Sequence, residues 1–167
     1  MAEQVLGADF QLAEVGARRF RPGATGLPLH VGVPANRFAE RGLPPPEQCL
    51  VLTFSWLLDD LTRNNAARTF LPCSHHARRG PQPQEQYDHL AYIEAPAGSV
   101  VLFNSAVWHA IEPYQELGPS RCEFSSAYVV PWLDQQELGW KAPPRTVHQQ
   151  LSPHLQQLNR PTARPTS

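Results

Sequence analysis

Three residues of this 167-residue chain have a type and a setting that could do chemistry together: His30, His109 and Arg121. His30 follows an apolar stretch with Leu27 and Leu29 and precedes Val31-Gly32, where a sheet would end and its side chains would meet solvent. His109 lies in VWHAIE, where strand alternation puts Val107, His109 and Ile111 on one face and Trp108 and Ala110 on the other. A neutral imidazole is a good ligand for iron, and two of them from opposite sheets, with coordination positions left open, would make a centre able to activate oxygen. Arg121 opens the last apolar stretch, 12 positions after His109. A guanidinium at a barrel mouth can clamp a carboxylate through two parallel hydrogen bonds, which suits the far end of a dicarboxylate. Each residue alone also has a plainer reading, a core imidazole or a solvated guanidinium. Ser126 and Tyr128 share the alternation of Arg121 only loosely and stand as further lining candidates.

Other reactive side chains point to less. Cys73 with His75 or His76 could suggest a thiol nucleophile, but residues two apart on a turn rarely align and no orienting acid follows. Arg78 and Arg79 beside the two histidines read as a solvated loop that could border a pocket. Cys49, Cys73 and Cys122 are odd in number and lack CxxC spacing, which argues against a disulfide framework or a zinc knuckle and for a reducing, cytoplasmic setting.

The elements that must position these groups are strands. Eight segments rich in Val, Leu, Phe, Trp and Tyr recur between Gly/Pro punctuation: Ala13 to Phe20, Leu27 to Val31, Cys49 to Leu58, Arg68 to Leu71, His89 to Glu94, Ser99 to Phe103, Val107 to Glu112 and Cys122 to Trp132. Eight short strands predict an all-β double-stranded β-helix, a cupin-like jelly roll. The run CLVLTFSWLL is nearly continuous in apolar residues, so a central strand buried on both faces is expected. Helical spacing is confined to Trp132 to Leu138 and Val147 to Leu158, with Ser152-Pro153 starting a short C-terminal helix. The expected organisation is a jelly roll over 1–138 and a C-terminal extension over 139–167 ending in a disordered PTARPTS tail.

Bulk properties exclude some partners. With 14 basic and 15 acidic residues the formal charge is -1, which gives no pull towards phosphate backbones or anionic lipid. No apolar run approaches the roughly 20 residues that cross a bilayer, and the start MAEQVLGADF carries no export signal. The expected partner is a small-molecule substrate, with neither nucleic acid nor membrane involved. A shortened jelly roll would also leave apolar surface that a second copy could bury as a homodimer.

Four motifs in order, PGATGLPLHVG, LVLTFSWLLDDLTRNNAARTFLPCSHHARRG, EAPAGSVVLFNSAVWHA and GPSRCEFSSAYVVPWLDQQE, resemble the phytanoyl-CoA dioxygenase family of iron(II)/2-oxoglutarate oxygenases. The resemblance spans about Gly16 to Glu137. It implies Fe(II) and 2-oxoglutarate as cofactors, His30 and His109 as iron ligands, and Arg121 as the 2-oxoglutarate arginine. The departures are as informative. The family's HxD motif is His30-Val31-Gly32, so its carboxylate ligand is missing. Two family glycines are replaced, by Ala66 and Cys73, which requires those turns to be built differently or to carry strain. Only 29 residues precede His30, fewer than the family's helical N-terminal region needs.

A missing carboxylate has three readings. Related halogenases have Gly or Ala at that position and bind chloride there, a pattern Gly32 matches. Asp59, Asp60 or Glu112 could reach the metal, although turn capping or exposure is the plainer role of each. The site could instead have decayed. The expected function is thus a dioxygenase that hydroxylates or halogenates a small molecule, and the alternative is a non-catalytic jelly roll with a degenerate metal site.

Overall fold

All eight apolar segments form strands in the computed structural model, which describes residues 1–32, 34–40, 47–77, 79–115, 117–133, 135, 139–141 and 143–159. In chain order they are β1 (Gln11–Phe20), β2 (Leu27–His30), β3 (Val51–Leu57), β4 (Arg68–Phe70), β5 (Ala91–Ile93), β6 (Val100–Asn104), β7 (His109–Ile111) and β8 (Arg121–Val129). They build two four-stranded sheets, one in the order β1-β8-β3-β6 and the other β2-β7-β4-β5, antiparallel throughout. Apart from the β4–β5 pair, sequential neighbours sit in opposite sheets, the crossing pattern of a jelly roll.

Side-chain alternation sets which residues face the space between the sheets. On β3 and β8 the register pairs Thr53 with Ala127, Ser55 with Ser125 and Leu57 with Glu123. Leu50, Val51, Leu52, Ala127, Val129 and Val130 form the main buried cluster, joined by Leu6 from a short N-terminal helix, α1 (Ala2–Leu6). Trp56, Phe124 and Val15 point the other way and are exposed. β3 is therefore buried on both faces only at its start, and the continuous apolar run overstated its burial. The outward face is flanked by the C-terminal segment, which with Trp56, Phe124 and Tyr128 encloses an apolar groove of about 860 Å³.

Helical content is slightly larger than the periodicity suggests. The structure adds α1 and α2 (Ala35–Glu40), both too short to show a helical period in the sequence. The C-terminal helix divides into α3 (Arg145–His148) and α4 (Pro153–Leu158). Ser152 caps α4, its hydroxyl accepting from the Leu155 N–H, with Pro153 at the first helical position. The predicted helix at Trp132 to Leu138 lies largely outside the described residues, as does the predicted disordered tail. Among the described residues no helix is long and apolar enough to cross a membrane.

The two turns at which the resemblance implies a glycine adopt the left-handed conformation that glycine favours. Ala66 has φ 66 and Cys73 has φ 61, both in the left-handed region that costs a residue with a Cβ about 1–2 kcal/mol. The tertiary frame therefore dictates these turns and the local residue type yields. Asn65 helps, bonding Asp60 O with its side-chain amide and accepting from Thr62 N–H.

Candidate functional site

The ladder between β2 and β7 sets His30 directly opposite His109, so two residues far apart in sequence share one spot on the sheet. Their ring centroids are 4.3 Å apart with planes inclined by 56°. Each ring is held by a backbone carbonyl two residues back in the chain. His30 Nδ1 lies 2.9 Å from Pro28 O, and His109 Nδ1 lies 2.8 Å from Val107 O. A carbonyl oxygen only accepts, so both Nδ1 atoms carry a proton, and Nε2 is the nitrogen of each ring that could take a metal. Backbone anchoring of one ring nitrogen is the usual way a metal-ligating histidine is fixed in tautomer and orientation. Burial pushes the His109 imidazole down to about 4, with the Val107 carbonyl opposing and His30 reinforcing the shift, so it is neutral at physiological pH.

These histidines line a cavity of about 190 Å³ between the sheets. Gly32, Thr53, Ser55, Arg68, Phe103 and Ser105 contribute to its wall, and Glu14 and Arg18 stand on β1 towards solvent. Ser126 lines both this cavity and the apolar groove on the other side of the sheet, and Tyr128 lines only the groove.

Gly32 is tied down by a hydrogen bond from its N–H to Ser105 O at 2.9 Å. A Cβ at position 32 would come within 2.8 Å of that same oxygen. Any side chain there, a carboxylate included, must displace backbone. The three acids considered as substitutes are all committed elsewhere. Asp59 accepts from Cys122 N–H, Asp60 from Ala97 N–H and Glu112 from the Thr69 hydroxyl. Among the described residues no group of three or more His, Cys, Asp or Glu side chains could hold an ion. The residues fit a divalent transition metal through two imidazoles, with the other positions left to small ligands.

Arg121 is not brought to the cavity. It is 1% exposed and spent within the protein: Nε donates to Asn65 O, Nη2 to Ala66 O and Nη1 to the Glu123 carboxylate, while the guanidinium stacks 4.3 Å from the Phe20 ring centre. The guanidinium that does line the cavity is that of Arg68, the first residue of the short strand β4 and not among the candidates that residue type and spacing single out. Arg68 is 3% exposed and donates from Nη2 to the other oxygen of Glu123. A signal for this cluster existed. Arg121 and Glu123 are two apart in an alternating strand, on the face shared with Ser125 and Ala127, so two charges point inward and must be paired there.

Cys73 and His76 meet only through a backbone bond from His76 N–H to Cys73 O, and Cys73 is exposed, so no nucleophile and base are assembled. Arg79 is bound by Glu85 on the surface, as a solvated loop would be.

Residues 19–115 match the phytanoyl-CoA dioxygenase (PhyH) family. The dioxygenase af480 of Aspergillus fumigatus is 24% identical over 163 residues, covering 95% of this chain and 50% of that protein, so the chain spans half the length of this relative. Solved structures share the fold. HygX from Streptomyces hygroscopicus, with nickel, 2-oxoglutarate and hygromycin B bound, superposes with a TM-score of 0.61 at 17% identity, covering 77% of this chain and 59% of HygX. The non-heme monooxygenase ThoJ in its nickel complex gives 0.58 at 19% identity, over 78% of this chain and 48% of ThoJ. The non-heme alpha-ketoglutarate-dependent epimerase SnoN from nogalamycin biosynthesis gives 0.60 at 19% identity, over 78% and 51%. With its jelly-roll sheets, its facing histidine pair and a match over more than half its length, the chain belongs to the phytanoyl-CoA dioxygenase family.

Proposed function

We propose that this protein is an iron(II)/2-oxoglutarate oxygenase acting on a small organic substrate, with His30 and His109 as its protein ligands to iron. One observation carries the reading: both imidazoles are anchored through Nδ1, which leaves Nε2 of each as the nitrogen able to ligate, at one point of a cavity. Iron bound there would supply oxygen activation coupled to decarboxylation of 2-oxoglutarate, for hydroxylation or halogenation of a C–H bond. The protein's own part is to hold the two rings in one tautomer and to keep bulk water from the buried His109. Gly32 contributes no ligand, so an exogenous anion such as chloride can take the place that an HxD carboxylate occupies, which favours including halogenation.

The non-catalytic alternative is supported by a different observation, that Arg121 is consumed by Glu123 and two backbone carbonyls. Anaerobic titration with iron(II) and 2-oxoglutarate separates the two. A visible charge-transfer band, lost in His109→Ala, is the expected result. A wild-type protein that shows no band at millimolar ligand is no oxygenase of this type.

A further inference from the structure

Arg68, Glu123 and Arg121 form a buried row with one carboxylate between two guanidinium groups. Two positive charges and one negative leave a net +1 in a place where the three residues are 3%, 0% and 1% exposed. An uncompensated buried charge is costly and draws a counter-ion. The excess does not sit at Arg121, whose donors bind Glu123 and the carbonyls of Asn65 and Ala66. It sits at Arg68, whose buried Nε has no partner among the described residues. Burial holds this guanidinium below its ordinary range against the opposing pull of Glu123.

A second orphan lies on the facing sheet. Ser55 is 0% exposed, lines the same cavity, and its Oγ also lacks a partner among the described residues. Arg68 pairs with Ile111, two residues along β7 from His109, so it stands roughly 7 Å along the strand from the metal-binding imidazole. A short diacid could span that interval.

We propose that Arg68 and Ser55, in place of Arg121, form the acid-binding end of the cavity, and that Glu123 is a positioning residue which converts Arg121 into scaffold and fixes the Arg68 fork. The ligand class is a small dicarboxylate whose distal carboxylate accepts from Arg68 Nε and Ser55 Oγ. The assignment rests on the oxygenase reading for the identity of the diacid, and on geometry alone for the place where it binds.

Calorimetry on the full chain tests it, using nickel(II) as an inert metal, 2-oxoglutarate as the two-ended probe, and glutarate on metal-free protein as a probe of the acid end alone. Ser55→Ala removes a hydroxyl with no protein partner, so the fold should persist while affinity for both probes falls about tenfold or more. Arg68→Lys should lose glutarate binding, and folded Arg121→Lys should keep both affinities within about threefold, since Arg121 does not touch the ligand. If Ser55→Ala and Arg68→Lys bind 2-oxoglutarate like wild type while Arg121→Lys loses it, the assignment is overturned and the oxygenase reading survives. If glutarate binds in a Ser55- and Arg68-dependent way but nickel does not bind, the acid site stands and the oxygenase reading falls. Nickel binding with neither diacid taken up overturns both.

Discussion

The proposed metal end and the proposed acid end of the cavity were assembled by different rules. At the metal end, His30 and His109 meet because two strands pair, and each ring is fixed by a carbonyl two residues back in the chain. At the acid end, Arg68 and Glu123 meet because β4 and β8 lie in different sheets that happen to face each other, and no local rule links them. A backbone ladder is local physics and reads out of alternation. An ion pair across a sandwich needs the whole fold. The contrast implies that the metal end should tolerate changes in its surroundings, whereas the acid end should be sensitive to any change in charge.

The sharpest way to break this contrast is Glu123→Gln. Losing the one carboxylate between two buried guanidinium groups should destabilise the protein by about 3–5 kcal/mol in urea unfolding. A loss under 1 kcal/mol would mean that water reaches the cluster and that the buried-charge argument is wrong. At the metal end, Gly32→Asp comes next. Rebuilding the family's carboxylate position should cost about 1–3 kcal/mol, because the new Cβ meets Ser105 O. A variant as stable as wild type, with tighter nickel binding, would show that this backbone yields easily. The smallest effects belong to the strained turns outside both ends. Cys73→Gly should raise stability by about 0.5–1 kcal/mol by relieving positive φ at an exposed position. Ala66→Gly should be nearly neutral, because the methyl it removes is buried and worth about 0.8 kcal/mol. Equal melting shifts in the two variants would contradict that account.

The same contrast explains what could be read in the residues. Alternation and Gly/Pro punctuation located all eight strands, and the inward parity of His109 followed from VWHAIE alone. The loss of Gly at positions 66 and 73 also announced strain, since a turn geometry outlives the residue that suited it. What stayed hidden depended on depth. Arg68 at the head of a three-residue strand looks like a surface residue until β8 covers it, and Ser55 in CLVLTFSWLL looks like a tolerated polar residue until its partnerless hydroxyl is seen facing Arg68's cavity. Arg121 was expected at the start of the last strand, at a barrel mouth, but Glu123, two residues on, captured it. The helices α1 and α2 are held by packing or turn geometry over five or six residues, too few for a period to show.

β2 is four residues long, sits at the rim of its sheet and touches its single neighbour through a register that slips between Leu27 and His30. Such a rim strand is prone to fraying, and a slip by one residue would turn His30 to the opposite side. An ion gripped by both imidazoles would act as a rivet at this weakest seam, so metal should slow hydrogen exchange of the β2 and β7 amides far more than that of β3 or β8.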